Sequence, residues 1–144
     1  MKTRVPRHFV AALIGGGAVL GVAGCSTPEP ALGGTTATVT IDGSDTGGAH
    51  AVRCRQNGWS WYIDTTEKDN GFTAVLSTGG DVTAESVDFR GVGGFTGSFW
   101  ADNIGDAEVT GRDGSYTITG KADGTFAGKP SEAVTAEFRI QANC

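Results

Sequence analysis

From residue 36 onward, apolar and polar residues alternate with a period of two, and no stretch carries the three-to-four-residue spacing of an amphipathic helix. The clearest case is residues 133–144. Val134, Ala136, Phe138, Ile140, Ala142 and Cys144 fall on one face, and Thr135, Glu137, Arg139, Gln141 and Asn143 fall on the other. This pattern predicts a half-buried strand with Cys144 on its core face beside Ile140, so that the C-terminus is stapled rather than loose.

Residues 49–66 predict a hairpin around Asn57-Gly58, a pair suited to a two-residue type I′ turn because both positions need positive φ. Its register would set Cys54 opposite Trp61 and Val52 opposite Ile63, all on one face. A second hairpin is predicted around Asp113-Gly114, with Val109 opposite Ile118 and Gly111 opposite Tyr116. Between them lie Phe72 to Ser77 and Val82 to Phe89, joined around Thr78-Gly79-Gly80, and then Phe95 to Ala101. Glycine interruptions in these segments suggest bulges and leave the register open. With Ala37 to Asp42 the count is about nine short strands. The predicted fold class is all-β, a small β-sandwich or closed barrel, with the sandwich preferred.

Composition agrees. The chain has 144 residues, enough for one domain, and 24 of them are glycine, which disfavours long helices.

Ahead of the strands the pattern changes. Lys2, Arg4 and Arg7 form a cationic head, and Phe9 to Val22 form an apolar stretch of signal-peptide length. A permanent transmembrane anchor is the weaker alternative, because the stretch falls short of the roughly 20 residues a spanning helix needs and contains Gly15, Gly16 and Gly17. Val22-Ala23-Gly24-Cys25 then places an aliphatic residue, two small residues and a cysteine at the expected cleavage point, and this resembles the bacterial lipobox. The resemblance implies diacylglycerol on the Cys25 thiol and cleavage between Gly24 and Cys25. Ordinary secretory cleavage near Ala23 is the alternative. The domains expected are a lipoprotein signal peptide at 1–24, a lipidated N-terminus and tether at 25–36, and a β domain at 37–144.

Cleavage would remove Lys2, Arg4 and Arg7 and none of the 16 acidic residues, leaving eight basic residues and a net charge of −8. Such a body repels phosphate backbones and anionic headgroups, so the expected partner is a membrane held through acyl chains on Cys25, and not nucleic acid. The tether reads STPEPALGGTT, a linker composition. Its Thr27, Thr35 and Thr36 stand in a Pro/Thr context that suits O-linked sugar as well as a plain linker.

With Cys25 assigned to lipid, Cys54 and Cys144 remain as an even pair in an exported chain, and a disulfide between them is expected. No metal site or cofactor is expected: His50 is the one histidine of the mature chain and reads as a surface residue, and no CxxC occurs. Nor is an enzyme expected, because GxSxG is absent. The carboxylates Asp64, Glu67 and Asp69, or Asp102, Asp106 and Glu108, match neither a calcium loop nor a glycosidase pair, and turn chemistry explains them.

The order of these pieces is itself informative. A lipobox and a Thr/Gly-rich tether precede Val39-Thr40-Ile41-Asp42-Gly43, Val52-Arg53-Cys54 and Gly71-Phe72-Thr73-Ala74-Val75-Leu76. The block running from Gly114-Ser115-Tyr116 to Gly120-Lys121-Ala122 and the terminal Phe138-Arg139-Ile140-Gln141-Ala142-Asn143-Cys144 follow. The arrangement resembles the LpqH lipoprotein family of mycobacteria, which includes the nineteen-kilodalton lipoprotein antigen. The resemblance implies a non-catalytic surface lipoprotein of the envelope, on the extracytoplasmic face, whose lipidated N-terminus is seen by a host receptor, Toll-like receptor 2. The shorter tether and the Trp59-Ser60-Trp61-Tyr62 segment depart from the best-known pattern, so dense glycosylation is not carried over. An alternative function is a carrier of an apolar envelope molecule, motivated by Phe95, Phe99 and Trp100 around Gly91-Val92-Gly93-Gly94; core packing is the plainer reading of those rings.

Overall fold

The computed structural model describes residues 35–144. The expected signal peptide, the Gly24/Cys25 cleavage and lipidation position, and the tether up to residue 34 lie outside the described residues. Nine strands follow in chain order: β1 Thr36–Ile41, β2 Ser44–Asn57, β3 Ser60–Thr65, β4 Gly71–Ser77, β5 Thr83–Val92, β6 Phe95–Trp100, β7 Asp106–Arg112, β8 Ser115–Phe126 and β9 Lys129–Asn143. The described residues contain no helix. The expected fold class holds in its essentials: all-β, nine strands, one disulfide.

All nine strands belong to one antiparallel sheet, in the order β6-β5-β4-β3-β2-β1-β9-β8-β7. A further pairing of β6 with β8 closes this sheet into a ring. Hydrogen bonding is therefore continuous around the core, without the two separately bonded layers of the preferred sandwich. The closure works because β8 is long enough to serve two neighbours on one edge. Ser115 to Lys121 pair with β7, and Asp123 to Phe126 pair with β6.

The alternation of the last strand is observed as expected, with Ala136, Phe138, Ile140 and Ala142 buried and the residues between them exposed. The ring encloses Ile63, Phe72, Leu76, Phe89, Phe95, Ile118 and Ile140, all fully buried. Burying each such side chain stabilises the fold by about 1.5–3 kcal/mol. Phe89 is the hub, its ring 5.8 Å from Phe95 and 5.2 Å from Phe138 in edge-to-face contact, with Phe72 at 6.5 Å.

The two hairpins read from sequence meet different outcomes. Around Asp113-Gly114 the register is the expected one, Val109 opposite Ile118 and Gly111 opposite Tyr116, and both turn residues have positive φ (+55° and +90°) as type I′ requires. At Asn57-Gly58 the register needs correction. Asn57 pairs with Ser60, Cys54 lies opposite Ile63 and Val52 opposite Thr65, so the turn residues are Gly58 and Trp59. Only Gly58 has positive φ (+59°), at the first turn position, as in a type II′ turn. The neighbouring hairpin decides this. Thr78 donates both its backbone N–H (2.7 Å) and its hydroxyl (3.0 Å) to the Trp59 carbonyl, which holds Trp59 in the turn. The slip is two residues, so every side chain keeps its face.

The pairings define two ends of the ring. One carries Thr35, the Gly58-Trp59 turn, the β4–β5 loop, the Asp113-Gly114 turn and Cys144; the opposite end carries the β1–β2, β3–β4, β5–β6 and β8–β9 connections.

Candidate functional site

At the Thr35 end the chain enters the sheet under restraint. The Val52 N–H donates to the Thr35 carbonyl (3.0 Å), and the Thr35 hydroxyl donates to the Val52 carbonyl, so Thr35 is tied beside β2. Two residues along β2, Cys54 is bonded to Cys144, with Cα atoms 5.8 Å apart, beyond the start of β1, where Thr36 pairs with Ala51 and Asn143. The pairing is the one expected, but its setting differs. Cys54 is half-buried and Cys144 exposed, because β9 stops at Asn143 and Ala142 is the last core residue of that strand. The disulfide thus fastens the rim, beneath which Trp61 and Tyr116 meet edge-on at 5.9 Å. The Cys144 N–H donates to the Gly114 carbonyl (2.7 Å), joining the end of β9 to the β7–β8 turn.

The three aromatics proposed as lining an apolar pocket are not brought together. Phe95 and Phe99 are buried in the core, and Trp100 points outward with 55% of its surface exposed. Phe126 packs on Phe95, with ring centroids 5.3 Å apart. A concavity among the described residues lies elsewhere. It is an open groove of about 620 Å³ on the outer face of β1, β9, β8 and β7, lined by Thr40, Thr119, Asp106, Glu108, Lys121, Glu137 and Arg139 among others. Its charged and hydroxyl lining is unlike an apolar carrier site.

The acidic residues noted in the sequence form no metal-holding group among the described residues. Asp64 pairs with Arg55 at 2.9 Å. Asp45 has a displaced pKa. The backbone N–H groups of Gly47 and then Gly48, each 2.8 Å from Oδ1, hold it below the ordinary aspartate value. Here β2 bulges against β1, and Thr46 donates its hydroxyl to the Val39 carbonyl at 2.9 Å. His50 is half-buried, with Nε2 3.5 Å from that hydroxyl. The proton of Thr46 is directed to the carbonyl, so this contact lacks the geometry of an activated nucleophile.

One feature of the Thr35 end was missed in the sequence: the exposed ring of Trp59. It lies across Gly79 and is 72% exposed. The signal was the aromatic directly after Gly58, obscured by placing the turn one residue too early.

Residues 30–144 match a family model described as the Mycobacterium 19 kDa lipoprotein antigen. Among similar proteins, a putative lipoprotein of Mycobacterium avium subsp. hominissuis is 37% identical over 121 residues, covering 83% of each chain. The probable lipoprotein LppE of Mycobacterium tuberculosis is 36% identical over 112 residues, 75% of this chain and 77% of its own. Lipoprotein LpqH of Mycobacterium avium is 33% identical over 107 residues, 74% of this chain and 66% of its own.

Proposed function

The chain belongs to the Mycobacterium 19 kDa lipoprotein antigen family, and from that premise we propose that it is an envelope lipoprotein anchored by acyl chains on Cys25, with a non-catalytic β domain displayed outside the cell. The observation that carries this reading is Val22-Ala23-Gly24-Cys25 behind a cationic, apolar leader, in a chain whose relatives are named lipoproteins. Signal peptidase cuts before Cys25, and the acyl chains supply the two membrane signals that stable anchoring needs. The disulfide suits this location, since such bonds persist in oxidising compartments.

The lipidated N-terminus is the part that a host receptor of the Toll-like receptor 2 type reads, and the β domain is the stable body that carries it. The non-catalytic reading rests on the family, whose members are named as lipoproteins and lipoprotein antigens. The apolar-carrier alternative has lost its motivation, because Phe95 and Phe99 are core residues.

Cys25→Ser is the direct test. The variant is expected to fold normally, to move from the detergent to the aqueous phase on partitioning, and to lose receptor signalling. Unchanged partitioning would refute the anchoring; signalling that survives loss of the lipid would refute the assignment of the receptor ligand.

A further inference from the structure

Among the described residues, the exposed large hydrophobic side chains are Trp59, Trp100 and Ile104. Trp59 stands apart from the other two. It occupies the β2–β3 turn at the Thr35 end, and its carbonyl accepts from Thr78, at the start of the β4–β5 loop. Trp100, the last residue of β6, and Ile104, in the β6–β7 connection, pair with each other near the level of Lys121, partway along β8.

A turn does not require tryptophan. Gly58 supplies the positive φ, and the second position of such a turn suits small polar residues. Trp59 instead lays one face on Gly79 and leaves the other open. An indole, apolar in body and with one N–H, suits the boundary between hydrocarbon and water.

We propose that the domain rests on the outer surface of its bilayer through the Thr35 end, with Trp59 seated in the headgroup layer. The proposal depends on acylation of Cys25. Cys25 and Thr35 are ten positions apart in the sequence. A chain of that length reaches at most about 36 Å fully extended. The 15-residue strand β9, by contrast, is about 50 Å long. The tether thus keeps the Thr35 end nearer the membrane than the opposite end. It also gives Trp59 an effective concentration in the millimolar range at the surface, so a weak intrinsic affinity is enough. With a mature net charge of −8, the contact is with zwitterionic headgroups and does not depend on anionic lipid.

The test uses the full acylated chain in phosphatidylcholine vesicles containing lipid brominated near the glycerol end of its acyl chains, with tryptophan emission as readout. Quenching is expected to be at least about twofold greater for the native chain than for Trp59→Ser. In the Trp59→Ser background, Gly128→Trp places a reporter at the opposite end, where a side chain meets nothing within 4 Å, and this reporter should remain unquenched. Circular dichroism of the Trp61–Tyr116 pair checks that each variant is folded. Equal quenching of the native chain and Trp59→Ser overturns the proposal, as does a quenched Gly128→Trp reporter. A Cys25→Ser chain that dimerises and hides Trp59 from acrylamide would assign the ring to a second copy and overturn it equally. Mass measurement separates the two levels: an acylated, vesicle-bound but unquenched chain refutes only the docking, whereas a chain without acyl groups refutes the anchoring reading and this proposal together.

Discussion

Gly97 of β6 sits directly opposite Gly124 of β8, and the ring of Phe95 folds over both. A methyl group on Gly97 would come 2.6 Å from Phe95 Cζ, and one on Gly124 would come 2.9 Å from the same atom. This pair lies in the ladder that closes the ring, so the closure depends on two positions without side chains. Gly124→Val is expected to destabilise the domain by about 1–3 kcal/mol through overpacking. Urea unfolding measures the loss, and amide exchange should accelerate first in β6. A variant as stable as the native chain would show that both Phe95 and the β6 backbone, whose Thr96 carbonyl oxygen lies still closer to such a carbon, can move aside without cost.

Phe89 makes a different demand on the same region. It touches Phe72, Phe95 and Phe138 from a fully buried position, so Phe89→Ala leaves a cavity that no neighbour can fill. The expected cost is about 3–5 kcal/mol. Trp100→Ser, on the exposed face of the adjacent strand, should change stability by about 0.5 kcal/mol or less. Calorimetry on the two variants checks the contrast, which reverses if Trp100 and not Phe89 anchors the packing.

Cys54 and Cys144 close a loop of 90 residues. In the chain-entropy model this is a stabilisation of about 4–5 kcal/mol, acting through the unfolded state. The double variant Cys54→Ala, Cys144→Ala should show that loss, or a large part of it, as a lower urea midpoint. Since the bond sits at the rim and the core is intact beneath it, the folded spectrum should change little. Loss of folded structure under conditions where the native chain is well above its midpoint would mean that the bond organises the core itself.

The paired glycines also explain which parts of the fold were legible in the sequence. Strands announced themselves wherever apolar and polar residues alternated, as in β9, and Asp113-Gly114 marked its hairpin because turn chemistry and alternation agreed. Asn57-Gly58 looked equivalent and was displaced, since the Thr78 contacts with Trp59 come from a separate hairpin. The cysteine pairing followed from parity, but its exposure depended on where β9 ends. Closure through β6 and β8 joins segments about thirty residues apart, and their shared signal is only a glycine in each. The plainer reading of Phe95 and Phe99 as core agrees with their burial, while Trp100 shows the limit of that reading: clustering along the chain does not show which side of a strand each ring occupies, and here Phe99 and Trp100 face opposite ways.

Asp45 sets a pH-dependent detail. Its carboxylate accepts the Gly47 and Gly48 N–H groups, so its folded pKa lies below the unfolded value. The stabilisation it offers is therefore complete above the unfolded aspartate pKa and is lost as pH falls through the folded one. Carboxyl NMR should show Asp45 titrating below an ordinary aspartate, with the Gly47 and Gly48 amide shifts following the same curve. Titration at or above the ordinary value would contradict the turn geometry.

Anchoring through Cys25 is tested most directly by the intact mass of the mature polypeptide extracted in detergent from its native envelope. The expected chain starts at Cys25 and is heavier than its amino acids by a diacylglycerol group and a further acyl chain. A polypeptide beginning at another residue, or one whose mass its amino acids fully explain, would contradict the anchoring and the surface location that follows from it.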